Sequence, residues 1–210
     1  MDRDIFFAAL KRFDVNMPKG AIECLDKFAE AILRQNQRLH LVSSGDTRLL
    51  WSRHFLDSLA PLITGVIRPP AHILDIGPGA GLPAIPIAIF EPDISITMAE
   101  SSTKKTRFIE RTIRELALDN TRIFGCQFEQ IEDKFDYCTI RAVFSDDSKL
   151  AEISKKLRPK GSAVFFKSVK SPEALPSQEL IREHGFSEVE VFKLDKEFFA
   201  GRTLVVFHKP

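Results

Sequence analysis

The sequence predicts an α/β fold: a mostly parallel sheet covered by helices on both faces, with an antiparallel last strand and an N-terminal helical extension. Three observations carry this expectation. About 60 residues at the start repeat their apolar positions at helical spacing. After the break at Arg68-Pro69-Pro70, short apolar strand patterns alternate with helical ones, the signature of a parallel sheet. The last two strand-like runs, Glu188–Phe192 and Thr203–Phe207, are joined by a polar, glycine-containing connection and are expected to pair antiparallel.

In the extension, Ile5, Phe6, Ala9, Leu10 and Phe13 define a first helix, ended by Met17-Pro18-Lys19-Gly20. Ile22, Leu25, Phe28, Ala29, Ile32 and Leu33 fall on one face of a second. A third is expected over Leu49–Leu62. The proline pair sets the boundary between an extension over 1–68 and a main domain over 69–210. His72–Ile76 then reads as the first strand, and Leu82–Phe90 as a helix with Pro83 in its first turn. Ile94–Ala99 is the second strand. The helix Thr103–Leu118 follows, turning Phe108, Ile109, Thr112, Ile113 and Leu116 inward. Thr121–Phe124, Phe135–Ile140 and Ser162–Lys167 are further strands, with a helix over Ser148–Leu157.

Composition sets the outer limits. The 210 residues suffice for one α/β domain with a modest extension. Apolar content of 44% and charged content of 28% are ordinary for a globular protein in water. With no signal peptide and no apolar run long enough to span a bilayer, a cytoplasmic monomer without membrane association is expected. The formal net charge is +1, so any nucleic acid must be met by a local basic patch. Cys24, Cys126 and Cys138 lack C-x-x-C spacing and read as buried small hydrophobes, and the five histidines are scattered, so no metal is expected.

The most informative segment is Leu74-Asp75-Ile76-Gly77-Pro78-Gly79-Ala80-Gly81-Leu82-Pro83. Glycines at every second position let backbone approach a ligand closely. The dinucleotide fingerprint would place its third glycine at Leu82, which disfavours a dehydrogenase. With Asp75 ahead of the first glycine, the segment reads instead as an S-adenosylmethionine loop. Its candidate cofactor contacts are Asp75, Gly77, Gly79, Gly81 and Leu82, within a Rossmann-like class I methyltransferase sheet.

Other strand ends supply the rest of the site. Glu100 ends the second strand roughly 20 residues after the loop, where a ribose-binding acid is expected; a surface acid beside Lys104 is its other reading. Ser101 and Ser102 are candidate helix caps. Phe128 and Glu129 could stack on adenine and accept its amino protons, or Glu129 could be a solvated loop acid. Arg141 ends the fourth strand, where many amino-directed methyltransferases carry an Asn-Pro-Pro-Tyr-like motif. Thr139-Ile140-Arg141-Ala142-Val143 has no proline pair and no aromatic, which points to an acceptor atom other than an amine. A structural salt bridge is the alternative for Arg141. Arg107, Arg111 and Arg114 share the polar face of their helix, which Glu110 and Glu115 could equally balance as a solvated face. Lys104 and Lys105 lie nearer the ligand end, toward substrate phosphate. His54 and Asp57, at i and i+3, could form a local pair.

On these residues the chain resembles the bacterial RsmG (GidB) family of small-subunit ribosomal RNA guanine-N7 methyltransferases. The resemblance covers nearly the whole length. It is carried by Asp75–Pro83 with Ile85-Pro86-Ile87-Ala88-Ile89, by Arg53-His54-Phe55-Leu56-Asp57-Ser58-Leu59, by Glu100-Ser101-Ser102-Thr103-Lys104-Lys105, by Arg141-Ala142-Val143, and by Arg202-Thr203-Leu204-Val205-Val206. It implies S-adenosylmethionine contacts at Gly77, Leu82, Phe128, Glu129 and Arg141, with Glu100 as the ribose acid. It implies that the helical extension and a basic rim receive 16S ribosomal RNA or the small subunit, with Lys104, Lys105, Arg53 and Lys167 as RNA-binding candidates. Ala84, Glu100, Gln127, Gln130, Ile140, His40 and Ser168 depart from the family pattern.

Guanine N7 has a lone pair and no proton to lose, so the transfer needs alignment and no general base. No residue is assigned as catalytic; Arg141 and His54 are candidates for positioning the guanine. The target base is expected to be unstacked from the RNA. The competing readings are a non-catalytic RNA- or ribosome-binding protein that keeps the pocket, and a methyltransferase for a small molecule or protein.

Overall fold

A computed structural model describes residues 2–141, 149–168 and 177–210. The extension opens with α1 (Asp2–Arg12) and α2 (Ala21–Leu39). Their apolar stripes bury Phe6, Ala9 and Leu10, and Leu25, Phe28, Ala29 and Ile32. Ile5 and Leu33 were expected on those stripes but lie at their edges, 37% and 47% exposed. The helix expected over Leu49–Leu62 is two elements: a π-helical turn, Leu50–Phe55, runs into α3 (Leu56–Ile63). The wide turn is anchored from far along the chain, where the Asp2 carboxylate accepts hydrogen bonds from the Trp51 and Ser52 N–H groups at 3.0 and 2.9 Å.

The main domain alternates as expected: β1 (Ala71–Ile76), α4 (Ala84–Phe90), β2 (Ile94–Ala99), α5 (Thr103–Leu116), β3 (Thr121–Phe124), β4 (Phe135–Arg141), α6 (Leu150–Lys156), β5 (Leu157–Ser168), α7 (Gln178–Glu183), β6 (Glu188–Lys193), α8 (Lys196–Phe199) and β7 (Arg202–His208). α4 starts two residues later than read, because Leu82 and Pro83 belong to the turn after the glycine loop. β5 starts earlier than read, and α8 occupies part of the connection between β6 and β7. The sheet order is β3-β2-β1-β4-β5-β7-β6. β1 to β5 run parallel, and β7 is antiparallel to both β5 and β6.

Alternation along the strands sorts apolar side chains into two cores. Ile73 and Ile96 join one cluster with Phe28, Phe55 and Ile85, so extension and sheet share a single core. Leu74 and Ile76 join the other with Phe128, Phe135, Phe165 and Phe207. Phe28 stacks on Phe55 at 5.5 Å, and Phe6 packs edge-on against Trp51 and Phe90 at 5.2 and 6.3 Å. Of the three cysteines, Cys138 is buried, while Cys24 and Cys126 are only half-buried; all three are free thiols.

Candidate active site

The glycine loop leaves β1 at the centre of the sheet, where strand order turns from β1-β2-β3 on one side to β4-β5 on the other. Ligands of open α/β sheets bind at this point. Gly77, Gly79 and Gly81 all have positive φ, at 65, 58 and 90°. Two of them serve different ends. A Cβ on Gly79 would meet no protein atom within 4 Å, and this residue faces a cavity of about 520 Å³. A Cβ on Gly81 would stand 2.5 Å from Ile85 Cδ1, so its absence lets the loop settle onto α4.

The loop is held from below and from one side. Asp75 is fully buried: its Oδ2 accepts from the Ala84 N–H at 3.2 Å and its Oδ1 from the Thr139 hydroxyl at 3.0 Å. Burial pushes this carboxyl up to about 7, against those two hydrogen bonds. Expected at the cofactor, Asp75 is instead a bracket beneath the loop, because strand alternation turns it toward α4. Glu100 is no surface acid, at 6% exposure. Its Oε2 accepts from the Gly79 N–H at 3.1 Å and its Oε1 from the Ser102 N–H at 2.9 Å. Ser102 is the N-cap residue of α5, yet its own hydroxyl makes no cap bond. Glu100 therefore clamps the loop to the start of α5 while lining the cavity with Gly77–Ala80, Leu82, Ser101, Lys105 and Arg141.

Sequence reasoning missed the opposite wall. Leu41, Val42 and Ser43, after α2, line the same cavity beside His54, the one residue of this wall already a candidate from the sequence. Nothing local marks them, since they reach the site only through packing of the extension. Neither residue read as an adenine contact is among those lining this cavity. Phe128 is 3% exposed and belongs to the second apolar core, so it does not line this cavity. Glu129 Oε1 pairs with Lys149 at 2.7 Å, and its Oε2 is buried with no hydrogen-bond partner among the described residues. Gln127 and Gln130, two departures from the family pattern, form a reciprocal capping box around the turn that carries them.

Arg141 turns its guanidinium toward the π-helical turn. Nη2 donates to the Arg53 carbonyl at 3.2 Å and to Asp57 Oδ2 at 3.3 Å, and lies 3.0 Å from His54 Nδ1. Asp57 Oδ2 also takes Arg202 at 3.1 Å, so one buried carboxylate joins β4 and β7 to the extension. Burial raises Asp57 to about 6 against the pull of both arginines. The local His54–Asp57 pair that their spacing allows is not made; the carboxylate beside His54 is that of Asp46, 3.8 Å from Nε2. Burial, with the Arg141 charge, lowers His54 to about 4, so it is neutral at physiological pH.

The RNA-binding candidates separate. Lys105 lines the cavity at the glycine loop and Lys104 an adjacent groove. Lys167 lines a smaller cavity of about 170 Å³ with Phe166 and Arg202, and Arg53 pairs with Asp46 at 3.0 Å. Ala84 is buried at the start of α4, Ile140 is buried in β4, and His40 ends α2 in a left-handed conformation. Ala142, Val143 and Ser148 lie outside the described residues, as does the side chain of Ser168.

A glycine loop bracing an open cavity, an acid at the end of β2 and an antiparallel β7 define the class: an S-adenosylmethionine-dependent methyltransferase. The fold recurs in a methyltransferase of that dependence from Aquifex aeolicus, with a TM-score of 0.60 and 14% identity over 77% of this chain and 93% of that one. The family model for rRNA small subunit methyltransferase G matches residues 21–201, and the chain belongs to this family. A relative of that name from Desulforamulus reducens is 31% identical over 96% of this chain and 87% of its own length. Another, from Lactococcus lactis subsp. cremoris, is 33% identical, and the chain spans 63% of its length. The cofactor is S-adenosylmethionine. The open cradle at Gly79, the Glu100 carboxylate and Glu129 Oε2, which has no partner among the described residues, fit a ligand with hydroxyl and amino donors.

Proposed function

We propose that the chain methylates N7 of a guanine in small-subunit (16S) ribosomal RNA, acting as a monomer in the cytoplasm. The carrying observation is the commitment of the polar groups around the cavity. Asp75, Glu100 and Arg141 are bound to partners within the chain, and His54 Nδ1 lies 3.0 Å from Arg141 Nη2. None is arranged to relay a proton, and guanine N7 requires no relay. When bound, the cofactor supplies an electrophilic methyl carbon on a sulfonium. The residues' share is alignment and exclusion of water, with reacting atoms about 3–3.5 Å apart. His54 and Arg141 line both the cofactor cavity and the smaller one beside Lys167 and Arg202, which makes them the wall against which a guanine is oriented. No helix among the described residues is long and apolar enough to cross a membrane.

The test is methyl transfer by the purified protein to naked 16S RNA and to isolated small subunits, followed by mass spectrometry of the nucleosides. 7-Methylguanosine is expected on one of the two. If both stay unmodified while S-adenosylmethionine binds, the substrate assignment fails.

A further inference from the structure

The seam between α2 and α5 holds a second concavity, a groove of about 660 Å³. It opens beside the cofactor cavity. Lys104 lines the groove and Lys105 the cavity, while Leu39 lines the groove and Leu41 the cavity. Phe108 is a buried apolar part of the lining. The rim is cationic: Arg34 and Arg38 rise from α2, and Lys104, Arg107 and Arg111 from α5, all exposed. One carboxylate stands among them, Glu115, which pairs with Arg111 at 2.6 Å and Arg34 at 3.5 Å. Two acids of α2 are engaged elsewhere, Glu23 with Lys27 and Asp26 with Arg3.

Five cations against one carboxylate is a concentration of charge in a chain whose net charge is +1. Spacing of three and four residues places the cations about one helical turn, roughly 5.4 Å, apart on both walls. Like charges so placed repel; Glu115 offsets Arg34 and Arg111, while Arg38, Lys104 and Arg107 have no ion pair among the described residues. Arg114 shares the polar face of α5 but is not in the groove, so the arginines divide by position. Evenly spaced guanidiniums match phosphate oxygens, each able to bind two at once.

We propose that the α2–α5 groove binds the phosphate backbone of the substrate RNA, carrying one strand away from the cofactor cavity. This rests on the reading of the chain as an RNA methyltransferase and adds the surface on which the RNA lies. The groove accounts for Arg107 and Arg111, which in sequence are indistinguishable from a solvated helix face.

The experiment uses the full chain, a fluorescein-labelled single-stranded RNA and isolated small subunits. The triple variant Arg34→Gln, Arg38→Gln, Arg107→Gln is expected to flatten the dependence of log affinity on log salt by about 0.7 per lost phosphate contact. KM for the RNA substrate should rise about tenfold or more, with kcat and S-adenosylmethionine affinity unchanged. Glu115→Gln, which removes the one carboxylate, is expected to tighten RNA binding, an effect a structural role would not produce. Arg114→Gln should match the wild type. Unaltered salt dependence and KM in a triple variant that melts normally and binds the cofactor would overturn the groove. With polyglutamate as a second probe, loss of its binding in the triple variant while RNA binding stays intact would also overturn the proposal, assigning the groove to an acidic protein. If the wild type binds RNA through these arginines but transfers no methyl group, the groove stands and the methyltransferase reading of the substrate fails.

Discussion

Gly79 and Gly81 sit in one loop but respond differently to a side chain. At Gly79 an alanine meets no protein atom, so Gly79→Ala carries mainly the backbone cost of positive φ, about 1–2 kcal/mol. Its methyl group stands in the cavity, and cofactor affinity by calorimetry should fall about tenfold or more, about 1.4 kcal/mol. Gly81→Ala drives Cβ into Ile85, and thermal melts should show a larger loss, about 2–4 kcal/mol. His54 makes a second prediction at this scale. Its folded value of about 4 lies below the ordinary 6.5, so between these pH values the unfolded chain holds a proton that the folded chain refuses. Its contribution to stability is complete above pH 6.5 and is lost as pH falls toward 4. Asp57 and Asp75, raised to about 6 and about 7, act with the opposite sign, because the folded chain retains their protons as pH rises from 4. The difference between wild type and His54→Gln isolates the histidine. The variant should gain on the wild type across this window by on the order of 3 kcal/mol, measured by denaturant titration at several pH values.

At the scale of elements, the joint between β4 and the π-helical turn decides the shape of the site. Arg141→Met removes the hydrogen bonds to Arg53 and His54 and leaves buried Asp57 with Arg202 as its remaining guanidinium. A loss of about 3–5 kcal/mol in equilibrium unfolding is expected, and Arg141→Lys should restore little of it, because an ammonium lacks the planar fork. Sequence pattern led only part of the way here. The apolar run Leu49–Leu62 was legible as helix, but its first turn is wide, and Asp2 holds it from fifty residues away. The proximity of His54 and Asp57 in sequence pointed to a pair, whereas the tertiary fold gives Asp57 to two arginines from distant strands. A local spacing rule has no access to such partners.

Across the whole molecule, the extension and the sheet share one apolar cluster running from Phe6 and Phe28 to Ile73 and Ile96. Heating should therefore give one cooperative transition seen alike by near- and far-ultraviolet circular dichroism. A chain reduced to 69–210 should aggregate, because it uncovers the face built by Ile85 and Ile73. Two separated transitions would show that the extension and the main domain fold independently.

The order of strands and helices, the glycine loop and Glu100 at the next strand end were determined by sequence alone. Periodicity and glycine placement are local properties, and a βαβ unit writes them in order along the chain. The placement of individual contacts was left to tertiary structure. Strand alternation put Asp75 beneath the loop and core packing took Phe128 into the interior, while docking of the extension brought Leu41–Ser43 and His54 to the cavity. Such outcomes depend on which faces meet across long stretches of chain. The arginines of α5 likewise gained a direction only when α2 packed beside them.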